Sequence, residues 1–176
     1  MKRLQLIALL IFIGLTTACS IAFAVHASAA VDQKTATASG ITLPLRYRDW
    51  RLVSVAHEAG NLNDLRAILG NDKAIKAYRK ETLPFPDGTI LARLAWAYTP
   101  SEENDKAFGR DQSFVAGAAT NIQLMVKDSK KYAATGGWGF AQFTNGKPAG
   151  EAALKPCFSC HVPAKAHDYV FTRYAP

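Results

Sequence analysis

Hydrophobic and polar positions alternate along residues 89–98 (TILARLAWAY). Ile90, Ala92, Leu94, Trp96 and Tyr98 point one way; Leu91, Arg93, Ala95 and Ala97 point the other. A period of two predicts a strand. Thr120 to Asp128 repeats the pattern, with Ile122, Leu124 and Val126 on one face and Asn121, Gln123 and Met125 on the other. Arg51 to Ala56, Leu65 to Leu69 and Trp138 to Phe143 read as further strands. Asn71-Asp72 is a helix N-terminus, and Ile75 and Tyr78, three apart, give 73–80 an apolar face. Pro84, Pro86, Asp87 and Gly88 form a turn, as does Gly136-Gly137. Residues 100–112 are charged and carry Pro100 and Gly109, which predicts a surface loop. Gly146, Pro148 and Gly150 lead into a last helix, and Tyr169 to Tyr174 closes the chain. The expectation is an α+β fold, mainly antiparallel β-sheet with a few helices.

The N-terminus departs from this pattern. Lys2 and Arg3 precede a mostly apolar run from Leu4 to Val25, and Ala27-Ser28-Ala29-Ala30 offers small-residue cleavage sites. Residues 1–30 read as a secretory signal. The run is about the length of a membrane span, so an uncleaved anchor is the alternative. Thr17-Ala18-Cys19 resembles a lipoprotein signal only faintly, since Thr16 stands where leucine is wanted. Residues 31–44 begin small and polar and read as a flexible lead-in. Residues 45–176 are then the functional domain.

Charge adds little. Residues 1–30 hold two basic and no acidic residues, which leaves 19 basic against 14 acidic, a net of +5. That charge helps an anionic partner or membrane surface approach, or simply solvates the surface. No basic run is interleaved with aromatics, so no nucleic-acid partner is expected.

The chemistry lies in Cys157-Phe158-Ser159-Cys160-His161, a C-x-x-C-H run. It is the attachment pattern of a c-type haem. Two thiols at this spacing each reach one porphyrin vinyl group, and the next histidine lies under the iron as axial ligand. Zinc wants four ligands, and the one further cysteine, Cys19, is in the N-terminal run. His167 is a third candidate with no evident fourth. A redox dithiol is the remaining alternative, but such motifs sit near a strand-helix-strand pattern. Haem c is attached after export, which agrees with the signal and implies the periplasm. His26 falls in the signal and receives no role.

Further along, Tyr47-Arg48-Asp49-Trp50, Phe85-Pro86-Asp87-Gly88-Thr89, Val126-Lys127-Asp128-Ser129-Lys130 and Gly137-Trp138-Gly139-Phe140 precede the C-x-x-C-H run. Val170-Phe171-Thr172-Arg173-Tyr174 follows it. In order and spacing these resemble the cytochrome P-460 family, which includes the β-type cytochromes c prime. The resemblance implies a mainly antiparallel sheet enclosing one covalently bound, five-coordinate haem c. It implies oxidation of hydroxylamine in catalytic members and binding of nitric oxide and similar diatomics in the others. It also makes a homodimer plausible. Catalytic members cross-link a lysine to the haem at the position of Arg93 and carry a pocket glutamate at that of Gln123. Arginine stays protonated and is a poor nucleophile, and glutamine is no base at neutral pH. Both substitutions weigh against hydroxylamine oxidation.

Read without the family, Arg93 is a charge in an apolar strand. It needs a partner such as a haem propionate or anionic ligand, or else it faces solvent. Gln123 faces a distal cavity or satisfies backbone groups in the sheet. For the sixth iron ligand, His167 lies on the proximal side, His57 is a candidate distal group, and Met125 shares the face of Gln123. None is convincing, so an open iron position is expected; the resemblance implies that it binds or oxidises a small nitrogen species, with a periplasmic redox partner. A six-coordinate electron-transfer cytochrome is the alternative. Trp96, Phe114, Trp138 and Phe140 serve either as core or as cofactor wall.

Overall fold

The computed structural model describes residues 36–175. The signal expected over 1–30, with Cys19 and His26, lies outside them. Among the described residues, six strands form one antiparallel sheet in the order of the chain: β1 (Arg51–Glu58), β2 (Asp64–Gly70), β3 (Ile90–Pro100), β4 (Phe114–Lys127), β5 (Trp138–Thr144) and β6 (Lys147–Pro148). Three α-helices join them: α1 (Asp72–Arg79), α2 (Glu102–Phe108) and α3 (Glu151–His161). The expected α+β class is the one observed.

Alternation sorts the sheet into two faces. Ala92, Leu94, Leu124, Ala141 and Phe143 are buried on one, beneath Ile41, Leu43 and Tyr47. Part of the expected lead-in is therefore core: Thr37, Ile41 and Leu43 are all buried. On the other face Ile68, Leu91 and Trp138 pack with Ala74, Ile75 and Ala77 of α1 and with Phe85. The Asn71 side chain caps α1 by accepting from the Ala74 N–H at 2.9 Å, and its amide donates to the Gly88 carbonyl at 2.9 Å. One residue thus satisfies an orphan helix donor and ties the turn before β3 to the helix.

The stretch 100–112 is not simply a loop. It holds α2, capped by Ser101 and ended by Gly109 in the left-handed conformation at φ 72°. No residue of α2 is buried. A helix without an apolar stripe leaves no periodic signal. β4 likewise starts at Phe114 rather than Thr120, because its first residues are exposed on an outer arm paired with the end of β3. β5 and β6 are joined by Asn145-Gly146, both at positive φ, as a two-residue hairpin requires.

Candidate functional site

On the face of α1 the other half of the sheet is left for a cleft. Ladder register places Ile68, Arg93, Gln123 and Gln142 side by side across four strands, with Leu91, Met125 and Phe140 in the next row. Opposite them lie α3 and the segment Val170–Thr172. Together they enclose about 660 Å³ lined by Arg93, Gln123, Cys157, Cys160 and His161, among others. That lies within the about 300–1,000 Å³ usual for cofactor and small-molecule sites. A second, shallower depression of about 710 Å³ between Trp50 and α1 has no cysteine or histidine in its lining.

Residues three and four apart share a helix face, so α3 turns Cys157, Cys160 and His161 together. Cys157 is half-buried and Cys160 exposed, and the two are not joined in a disulfide. Burial, and then the neighbouring Cys160, push the Cys157 thiol up, which keeps it protonated at neutral pH. The His161 ring lies 5.2 Å, centroid to centroid, from each of Phe140 and Phe171. Its Nδ1 is 2.7 Å from the Tyr169 carbonyl oxygen. A carbonyl only accepts, so Nδ1 carries the proton and the Nε2 lone pair is free for a metal. Burial pushes the His161 pKa below its ordinary value, against the opposing effect of the Tyr169 bond, and favours the neutral ring that metal binding needs.

The Tyr169 carbonyl is held by a buried ion pair. After the short 3-10 turn Val162–His167, Asp168 and Tyr169 both take left-handed backbone conformations, φ 54° and 65°. The Asp168 carboxylate accepts from Lys127 Nζ at 2.7 and 2.8 Å and from the Phe85 N–H at 2.8 Å. Its carbonyl accepts the Trp138 indole N–H at 2.7 Å. Lys127 also donates to the Gly136 carbonyl at 3.0 Å. A side chain at Gly136 would collide with the Tyr169 ring, so glycine is required there. Sequence reading gave Lys127 and Asp168 no role. The available signal was parity: Lys127 shares the inward face of Gln123 and Met125, the same reasoning that singled out Arg93.

Arg93 does not face solvent. Its side chain is 17% exposed and pairs with Asp64, which also binds Arg66 at 2.8 Å. Arg93 Nη1 donates to Asn121 Oδ1 and to Gln123 Oε1, both at 3.0 Å. Gln123 Nε2 donates to Gln142 Oε1 at 2.8 Å, so Gln123 bonds side chains of the cleft. Burial, and next the like charge of Arg66, lower the Arg93 pKa, but a guanidinium stays charged. Arg93 Nε is buried without a partner among the described residues.

The remaining candidates separate. Met125 and Phe140 line the cleft. His57 does not: it is exposed on β1, stacked on Tyr98 at 3.9 Å and 3.2 Å from Asn63 Oδ1. His167 is exposed on the 3-10 turn. Phe114 is exposed against Tyr98, Trp138 is core, and Trp96 packs on the opposite face. Among the described residues no group of three or more His, Cys, Asp or Glu side chains is placed to hold a metal ion.

The residues present fit a haem c: two thiols and a free Nε2 on one helix face, an apolar row, and an orphaned guanidinium N–H. The family model for cytochrome P460 matches residues 44–172. The chain belongs to the cytochrome P460 family. It is accordingly a cytochrome that carries covalently attached haem c. Comparison with curated proteins finds no match. No helix among the described residues of this cytochrome is long and apolar enough to cross a membrane.

Proposed function

We propose that this cytochrome P460 holds its haem through Cys157, Cys160 and His161, and offers the opposite iron position to small nitrogen species such as nitric oxide. One observation carries the reading: the Tyr169 carbonyl accepts a hydrogen bond from the His161 Nδ1–H and so leaves the Nε2 lone pair free to hold iron. Cys157 and Cys160 would each hold the haem through a thioether, formed by S–H addition across a vinyl group with nothing released. When bound, the haem supplies an iron that takes a diatomic ligand or exchanges one electron. The chain's own residues orient His161, pack Phe140 and Phe171 against its ring, and wall the cleft.

An open position is favoured because neither His57 nor His167 lines the cleft. Met125 does line it, and gives the second reading, a six-coordinate electron carrier, its specific support. Hydroxylamine oxidation is disfavoured: the family's lysine and glutamate positions hold Arg93 and Gln123, bonded to one another. Neither is a base at neutral pH. The N-terminal signal and the compartment of haem attachment support export to the periplasm and electron exchange with a redox partner there.

Spectra of the ferrous holoprotein with and without nitric oxide test the reading. A high-spin spectrum that changes on binding is expected. A low-spin spectrum that nitric oxide leaves unchanged shows a sixth protein ligand, for which Met125 is the candidate in the cleft, and overturns the reading.

A further inference from the structure

The polar row across the sheet has a direction. Arginine only donates, so Arg93 fixes how its neighbours must turn: Asn121 and Gln123 both present their carbonyl oxygens to Nη1. Gln123 then has only its amide N–H groups left for Gln142, and Gln142 answers with its oxygen. Three amides in succession thus turn their oxygens into the row, each accepting one bond. Their unengaged atoms are N–H donors: Asn121 Nδ2, Gln142 Nε2 and the second hydrogen of Gln123 Nε2. None of these has a partner among the described residues. All four side chains line the cleft, and Arg93 Nε is a buried donor beside them.

Among the described residues, the lining holds one carboxylate, Glu58, which is 52% exposed and bound to Arg66 at 2.9 Å. Apart from His161, whose Nε2 the iron would occupy, the inner cleft therefore has side-chain donors and no free base. Nor is it strongly cationic, because Glu58, Arg66, Asp64 and Arg93 alternate in charge and sum to zero. Donors without net charge favour a neutral ligand whose outer atom accepts hydrogen bonds. They favour neither an anion nor a substrate that must lose protons to the protein.

We propose that Arg93, Asn121, Gln123 and Gln142 form a donor wall for a small neutral diatomic that accepts hydrogen bonds through its outer atom. The inference rests on the open-site reading and names the ligand chemistry of that site. The probe is carbon monoxide on the ferrous holoprotein, read by the infrared C–O stretch. A donor near the ligand's oxygen lowers that frequency.

Gln142→Leu and Asn121→Leu should each raise the C–O frequency and speed dissociation by about two- to tenfold, the worth of one hydrogen bond. Gln142→Glu, which replaces a donor with a charged acceptor, should raise it further. An unchanged c-type absorption spectrum shows that each variant has assembled its haem. If the band ignores both leucine substitutions, the amides serve another group, such as the haem propionates, and the donor wall is overturned alone. A wild-type protein that forms no carbon monoxide complex overturns the open-site reading and the donor wall together.

Discussion

The bond from His161 Nδ1 to the Tyr169 carbonyl rests on Asp168, and Asp168 rests on Lys127. Both charged side chains are almost fully buried, Lys127 5% and Asp168 8% exposed. Breaking a buried ion pair from one side leaves an uncompensated charge, which costs about 3–5 kcal/mol. Asp168→Ala should therefore lower holoprotein stability by about that amount, measured by urea unfolding. The loss should be partly relieved by adding Lys127→Met, which removes the stranded ammonium. A double variant that loses as much as the Asp168→Ala and Lys127→Met variants summed would show that the two charges are uncoupled. Arg93 gives a second test at this scale. Arg93→Lys restores the residue type that the family's catalytic members cross-link. Mass spectrometry of the peptide after thioether cleavage should find the introduced side chain modified. Ordinary c-haem spectra and an unmodified peptide would show that the surroundings for the cross-link are missing.

Among the elements, the turn before β3 is tied to the loop after β4 by Asp87, which accepts from the Ser129 hydroxyl and the Ser129 N–H, both at 2.8 Å. These two bonds, the hydroxyl first, hold the Asp87 carboxyl below its ordinary range. A depressed carboxyl pKa stabilises the fold above the unfolded value near about 3.9, and that contribution fades as pH falls through the folded value. Thermal unfolding of the wild type should therefore drop more steeply below about pH 4 than that of Asp87→Asn. Parallel curves would refute the tie. The elements also differ in how far they were legible. β3 was readable because Ala92 and Leu94 alternate with Leu91 and Arg93 between two covered faces. The helix α2 and the first half of β4 were not, because neither buries an apolar stripe. Cys157, Cys160 and His161 were readable because they are adjacent in sequence. Lys127 and Asp168, 41 residues apart, meet only through the fold.

At the scale of the molecule, a meandering sheet covered on one face by residues 36–50 leaves its other face to α1 and to a cleft closed by residues 151–172. The sheet brings the polar row of Arg93, Gln123 and Gln142, and α3 brings the thiols and the imidazole. Neither half is a site alone. We propose that the iron has one protein ligand, His161, with the polar row facing the free position. The optical spectrum of the reduced holoprotein, recorded before and after nitric oxide, tests this most directly. A five-coordinate, high-spin spectrum that shifts on nitric oxide is predicted; a six-coordinate, low-spin spectrum indifferent to nitric oxide would contradict it.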